Sequence, residues 1–202
     1  MNGYAAIVLA GGAGRRMGGE GKPIRPVGGV PMVLRVLGAV IAAAPRVVVG
    51  PPELAPFLPT GVVLTRERPP GGGPAAAAAA GIAALPRAGG LIALLAADLP
   101  LLTAAAVDQL SRAATRPEVD GAVFVDTDGK PQWLCGVWRD EPLRQRMSTL
   151  GDPDGVPVRR LFAGLRVDLI LPRPAGASGA GMAPWFDCDT EDDLRLAEER
   201  MR

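Results

Sequence analysis

The chain has 202 residues, of which 48% are hydrophobic and only 4% aromatic, with a net charge of +1 and no histidine. That length suits a single domain spanning residues 1–202, with a core of Ala, Val and Leu that matches parallel strands under close-packed helices. The near-neutral charge excludes a polyanionic partner such as nucleic acid, and without histidine any catalysis must rest on carboxylates, lysine, arginine and a hard, oxygen-preferring metal.

The first predicted strand is Tyr4 to Leu9, and it empties into glycines followed by Arg15, Arg16 and Lys22. Bare backbone N–H groups beside cations suit a phosphate chain. Pro31 can open a helix to about Ala44, with Val33, Leu34, Leu37, Val40 and Ile41 at helical spacing. Strands at Val47–Val49 and Val62–Thr65 follow, the second leading into the turn-rich Arg66-Glu67-Arg68 to Pro74 segment. The alanine run from Ala75 starts a helix to about Leu85 that fits tight helix-on-sheet packing. Leu91 to Ala97 is the most continuously apolar strand, predicted central, and delivers Asp98 at its carboxyl end.

Further along, Thr103 begins a helix to about Ala114, and Gly121–Val125 and Gln132–Trp138 read as strands around the Asp126–Gly129 turn. Short helices are expected at about 142–149 and 158–162, an edge strand at 166–171, and a mobile Gly/Ala/Ser/Pro loop at 172–182. Thr190-Glu191-Asp192-Asp193 forms a capping box on a last helix. Trp133 and Trp138, at odd spacing in a strand, are expected on opposite faces. Cys135 and Cys188 read as buried structural thiols. No apolar run is long enough for a membrane span and no signal peptide is evident, which predicts a cytoplasmic protein with no membrane partner. The alternation predicts an α/β fold: a three-layer, Rossmann-like, doubly wound and mostly parallel sheet with ligands beyond the carboxyl ends of its strands.

Two common owners of glycine loops fail. From Gly12 the chain gives Gly-Ala-Gly-Arg-Arg-Met rather than G-x-G-x-x-G, and at Gly21-Lys22 a proline replaces the hydroxyl residue of a P-loop. The loop Leu9-Ala10-Gly11-Gly12-Ala13-Gly14-Arg15-Arg16-Met17-Gly18, with Lys22 beyond, instead resembles the signature of the molybdenum-cofactor nucleotidyltransferases that make molybdopterin guanine dinucleotide. Arg66-Glu67 to Gly73-Pro74, Ala97-Asp98-Leu99-Pro100, Gln132 to Trp138, Val156 to Leu161 and Trp185 to Leu194 continue the resemblance in the family's order.

This resemblance implies a nucleotide-diphospho-sugar transferase-like fold and transfer of GMP from GTP to molybdopterin with release of pyrophosphate and with Mg²⁺ as cofactor. It assigns Arg16, Lys22 and Asp98 to catalysis, and Leu9, Ala10, Gly11, Gly12, Gly14, Lys22, Glu67 and Asp98 to the nucleotide. Gln132, Arg159 and Arg160 fall to the acceptor, and Asp98 with Asp189 to the metal. Asp189 could instead serve only the positive end of the last helix, and Glu67 could pair with Arg66 or Arg68. Arg159 and Arg160 could simply face solvent. The Gly11-Gly12 pair favours guanylyl over cytidylyl transfer. Two departures stand out: Gly21 replaces an acidic residue before the lysine, and Ala77 replaces a glycine after Gly73-Pro74. The rival readings are transfer to another phosphorylated small molecule and a non-catalytic nucleotide-binding module. The oligomeric state is open between a monomer and a weak homo-oligomer.

Overall fold

The computed structural model describes residues 3–11, 21–87, 89–171 and 183–201. The predicted loop at 172–182 and the positions Gly12, Gly14 and Arg16 lie outside the described residues.

In chain order the strands are β1 (Tyr4–Leu9), β2 (Pro26–Val27), β3 (Val30–Pro31), β4 (Arg46–Val49), β5 (Val62–Thr65), β6 (Leu91–Ala96), β7 (Gly121–Val125), β8 (Pro131–Arg139) and β9 (Val167–Ile170). The helices are α1 (Met32–Ala39), α2 (Gly73–Ala84), α3 (Ala104–Ala114), α4 (Asp140–Leu150), α5 (Val158–Leu161) and α6 (Glu191–Arg200). Seven strands form one sheet in the order β5-β4-β1-β6-β8-β7-β9, with β6 in the middle and β9 at an edge, both as expected. Six of the seven strands run parallel; β8 lies antiparallel between β6 and β7.

Successive residues of β1 serve the two faces of the sheet, as the period of a strand requires. Ala6 and Val8 join α1 and α3 through Val33, Val36, Leu37, Val107 and Leu110. Ile7 and Leu9 join α2, α4 and α5 through Ala77, Ala78, Ile82, Leu143 and Leu161. The alanines of α2 let that helix lie close: a Cβ at Gly81 would sit 2.5 Å from Ile7 Cγ2. A third, smaller core under α6 joins Val27, Met32, Leu101, Cys188, Leu194 and Ala197.

Most elements fall where the sequence puts them, and the differences have local causes. Helix α1 starts directly after Pro31, at Met32, but stops early, at Ala39, with Val40 already out of helical geometry. The β2–β3 hairpin and the 3-10 turns at Lys22–Ile24 and Pro52–Phe57 carry no periodic signal that so few residues could show. Both caps are as predicted: the Thr103 hydroxyl accepts from the Ala106 N–H at 3.2 Å, and Thr190 and Asp193 form a reciprocal capping box.

The expectation that Trp133 and Trp138 occupy opposite faces is wrong. The β7–β8 pairing shifts register between Val123–Gly136 and Val125–Pro131, so β8 carries extra residues there and the alternation of faces slips. Both indoles stack with Phe162, Trp138 at 4.0 Å and Trp133 at 5.4 Å between ring centroids, and lie 6.4 Å from each other.

Candidate active site

Strands β1, β4 and β6 end side by side, and the backbone beyond them stays tied to the sheet. The Ala10 N–H donates to the Val49 carbonyl at 2.7 Å and the Ala97 N–H to the Leu9 carbonyl at 2.9 Å. Leu9 and Ala10 therefore have their side chains in the core and fix the point where the chain leaves the sheet at Gly11.

Lys22 stands across that edge. Its ammonium donates to Asp98 in the turn after β6 and to Asp189 Oδ1 at 2.6 Å. Burial alone would lower the pKa of this amine, but Asp98 first and then Asp189 outweigh it and the pKa is raised. The ammonium thus stays charged throughout the neutral range. The Asp98 carbonyl accepts from the Cys188 N–H at 3.1 Å, which stitches the 185–189 segment to the end of β6 and explains how Asp98 and Asp189 reach the same lysine. Gly21, which precedes the lysine, has φ 110° and opens the 3-10 turn, a conformation that disfavours any side-chain-bearing residue. The departure at this position is thus a backbone requirement of this chain.

Glu67 lies on the other side of Gly11. It is 8% exposed; Oε1 accepts from the Gly71 N–H at 3.0 Å, and a Cβ placed on Gly11 would lie 4.0 Å from the same oxygen. Oε2 is buried without a hydrogen-bond partner among the described residues, and the alternative salt bridge to Arg66 or Arg68 is not formed. A buried carboxylate oxygen with no donor costs stability, so its position beside the glycine loop suits a group that brings donors.

A cavity of about 310 Å³ is lined by residues that include Asp98, Gln132, Trp133, Val158, Trp185 and Asp187. Asp187 is accessible at its mouth; partial enclosure raises its pKa, and Asp98 and Asp189 add to this. Trp185 is braced against Phe124 at 5.5 Å. Trp185 and Asp187 escape sequence reasoning, although the alternation of Asp187 and Asp189 around buried Cys188 is a usable signal. Arg159 and Arg160 are exposed on α5 next to Val158, with no side-chain hydrogen bond or ion pair among the described residues. The two thiols are free and buried, and burial raises each to a pKa of about 12.

The MobA-like NTP transferase domain matches residues 6–168, which takes in β1, Lys22, Glu67, Asp98 and Gln132. A probable molybdenum cofactor guanylyltransferase of Mycobacterium ulcerans is 35% identical over 148 residues, covering 72% of each chain. This chain belongs to the MobA-like nucleotidyltransferase family. The corresponding protein of Mycobacterium tuberculosis is 33% identical over 150 residues with the same 72% coverage of each chain. Among solved structures, molybdopterin-guanine dinucleotide biosynthesis protein A from Archaeoglobus fulgidus superposes with a TM-score of 0.71 at 19% identity, covering 98% of both chains. The 2-C-methyl-D-erythritol 4-phosphate cytidylyltransferase of Thermus thermophilus gives 0.72 at 20% identity over 98% of both chains. These two share the fold, and the family membership makes this chain a nucleotidyltransferase.

Proposed function

We propose that this enzyme transfers a guanylyl group from GTP to the terminal phosphate of molybdopterin and releases pyrophosphate. The observation that carries this reading is the convergence of Asp98 and Asp189 on one cation, the Lys22 ammonium, beside the exit of the glycine loop. Two carboxylate oxygens that already share a single positive charge fit a Mg²⁺ site whose other ligands come from phosphate and water. Bound there, Mg²⁺ would neutralise charge on the α-phosphate and on the leaving pyrophosphate.

The chain's own residues supply the remainder. An oxygen of the acceptor phosphate forms the new bond to the α-phosphorus, and the bridging α–β bond breaks, its electron pair leaving with pyrophosphate. The attacking phosphate is already an anion at neutral pH, so the absence of histidine is no obstacle and the task is alignment and neutralisation. Lys22 and Arg16 hold the triphosphate, and Gly11, Gly12 and Gly14 allow the backbone to approach it. Glu67 accepts from the nucleotide: guanine presents a ring N–H beside an amino group, two donors that suit a carboxylate with a free oxygen. The cavity holding Gln132 and Trp133 takes the acceptor, with Arg159 and Arg160, which follow Val158 of its lining, available for phosphate. The guanylyl relatives from Mycobacterium support the choice of GTP and of molybdopterin.

The test is pyrophosphate release from GTP and from CTP with molybdopterin as acceptor. GTP-dependent release that requires Mg²⁺ is expected; preference for CTP, or GTP binding without product, would overturn the reading.

A further inference from the structure

The acceptor cavity contains a polar contact whose direction is set from outside. Gln132 lines the cavity together with Asp98 and Trp133. Its Nε2 donates to Asp126 Oδ2 at 3.1 Å and to the Lys130 carbonyl at 3.3 Å. Both partners are pure acceptors, so the end of the amide that faces them must be the NH₂ group, and both of its donors are engaged. The carbonyl Oε1, which has no hydrogen bond from any described residue, is then the polar atom this side chain can offer to the cavity.

Asp126 is itself held firmly. It opens the turn between β7 and β8, where its Oδ1 accepts from the N–H groups of Asp128 at 3.0 Å and Lys130 at 2.8 Å, and its own N–H donates to the Lys130 carbonyl at 3.0 Å. One oxygen therefore builds the turn, and the other fixes the amide of Gln132.

We infer that Asp126 is a positioning residue that locks Gln132 as a hydrogen-bond acceptor in the cavity, so that the site selects an acceptor molecule presenting N–H donors. This rests on the functional reading above, in which the acceptor is a pterin; its amino group and ring N–H supply such donors. An edge carrying only carbonyl or phosphate oxygens finds no partner at Gln132.

Asp126→Asn tests this without dismantling the turn. The asparagine carbonyl still accepts from Asp128 and Lys130, but its NH₂ now opposes the Gln132 NH₂, so the glutamine amide keeps only the longer bond to the Lys130 carbonyl and loses its fixed orientation toward the cavity. Binding of 6-hydroxymethylpterin, read by quenching of tryptophan fluorescence, should weaken about tenfold or more in this variant, with GTP affinity unchanged. The Gln132 side-chain amide resonances should move as well. Gln132→Leu should weaken pterin binding similarly, and adding Asp126→Asn to Gln132→Leu should cause no further loss. Equal pterin affinity in Asp126→Asn and the unaltered enzyme, additive losses in the double variant, or GTP binding with no pterin binding would each overturn the inference. Pterin binding with the expected dependence, but no pyrophosphate release, would support the inference and overturn guanylyl transfer instead.

Discussion

Lys22 Nζ lies 2.6 Å from Asp189 Oδ1 although 167 residues separate them in the chain, and the same ammonium reaches Asp98. Removing either carboxylate should therefore affect one shared centre. Asp98→Asn is expected to reduce pyrophosphate release by at least about 100-fold, on the scale of a lost transition-state contact, while leaving the melting transition nearly unchanged. Asp189→Asn, on a more exposed side chain, should cost about tenfold. Near-normal turnover in Asp98→Asn would remove it from the reaction centre.

Glu67→Gln separates binding from stability. The substitution removes a charge with an unpartnered buried oxygen, so the empty protein should be as stable as the unaltered one or slightly more stable. If Glu67 accepts from the nucleotide as proposed, the KM for GTP should rise about tenfold or more with kcat changed less, since that interaction would serve ground and transition states alike. A drop in stability with unaltered KM would make Glu67 purely structural.

Packing under α2 is tight enough to reverse a propensity rule. Alanine normally improves on glycine inside a helix by about 0.5–1 kcal/mol, yet a Cβ at Gly81 would be 2.5 Å from Ile7 Cγ2 and 3.0 Å from Val49 Cγ2. Gly81→Ala is expected to destabilise the fold by about 1–3 kcal/mol in denaturant titration.

Acid should act through Asp120. Its pKa is lowered chiefly by hydrogen bonds from Arg166, whose side chain donates at 2.8 Å and whose backbone N–H donates at 2.9 Å. A carboxylate whose folded pKa is depressed adds stability above its unfolded pKa of about 3.9, and that contribution disappears as pH falls through the lower folded value. Asp120→Asn should lower the melting temperature by several degrees at pH 7 and by progressively less below pH 4.

With thiol pKa values of about 12, Cys135 and Cys188 should resist modification. A disulfide exchange reagent at pH 7.5 is expected to label neither in the folded enzyme and both after denaturation. Rapid labelling of the folded form would contradict their burial.

The chain's local grammar made much of this legible. Strands with continuous apolar runs, such as Leu91 to Ala96, and caps with their own chemistry, such as Thr103 and Thr190, have causes contained within a few residues. Asp98 and Asp189 stand at motif positions of the sequence, and the fold adds that both meet Lys22. What could not be read was the phase slip in β8, since it arises from pairing with β7, and with it the stacking of Trp133 and Trp138 on Phe162. Glu67 shows the same limit: the sequence left it open between the nucleotide and a salt bridge to Arg66 or Arg68, whereas the backbone turn gives one oxygen to Gly71.

The reversed direction of β8 has a wider consequence. Because this strand runs against β6, its beginning, rather than its end, arrives beside Asp98, and the turn from Asp126 to Lys130 leads directly into the cavity wall at Pro131 and Gln132. The ends of β1 and β6, which run the other way, lead instead to Gly11 and Asp98. On the proposed reading, the cavity wall at Gln132 and the nucleotide grip would come from separate stretches of chain, so substitutions in the β7–β8 hairpin are expected to change acceptor affinity while leaving GTP affinity unaltered.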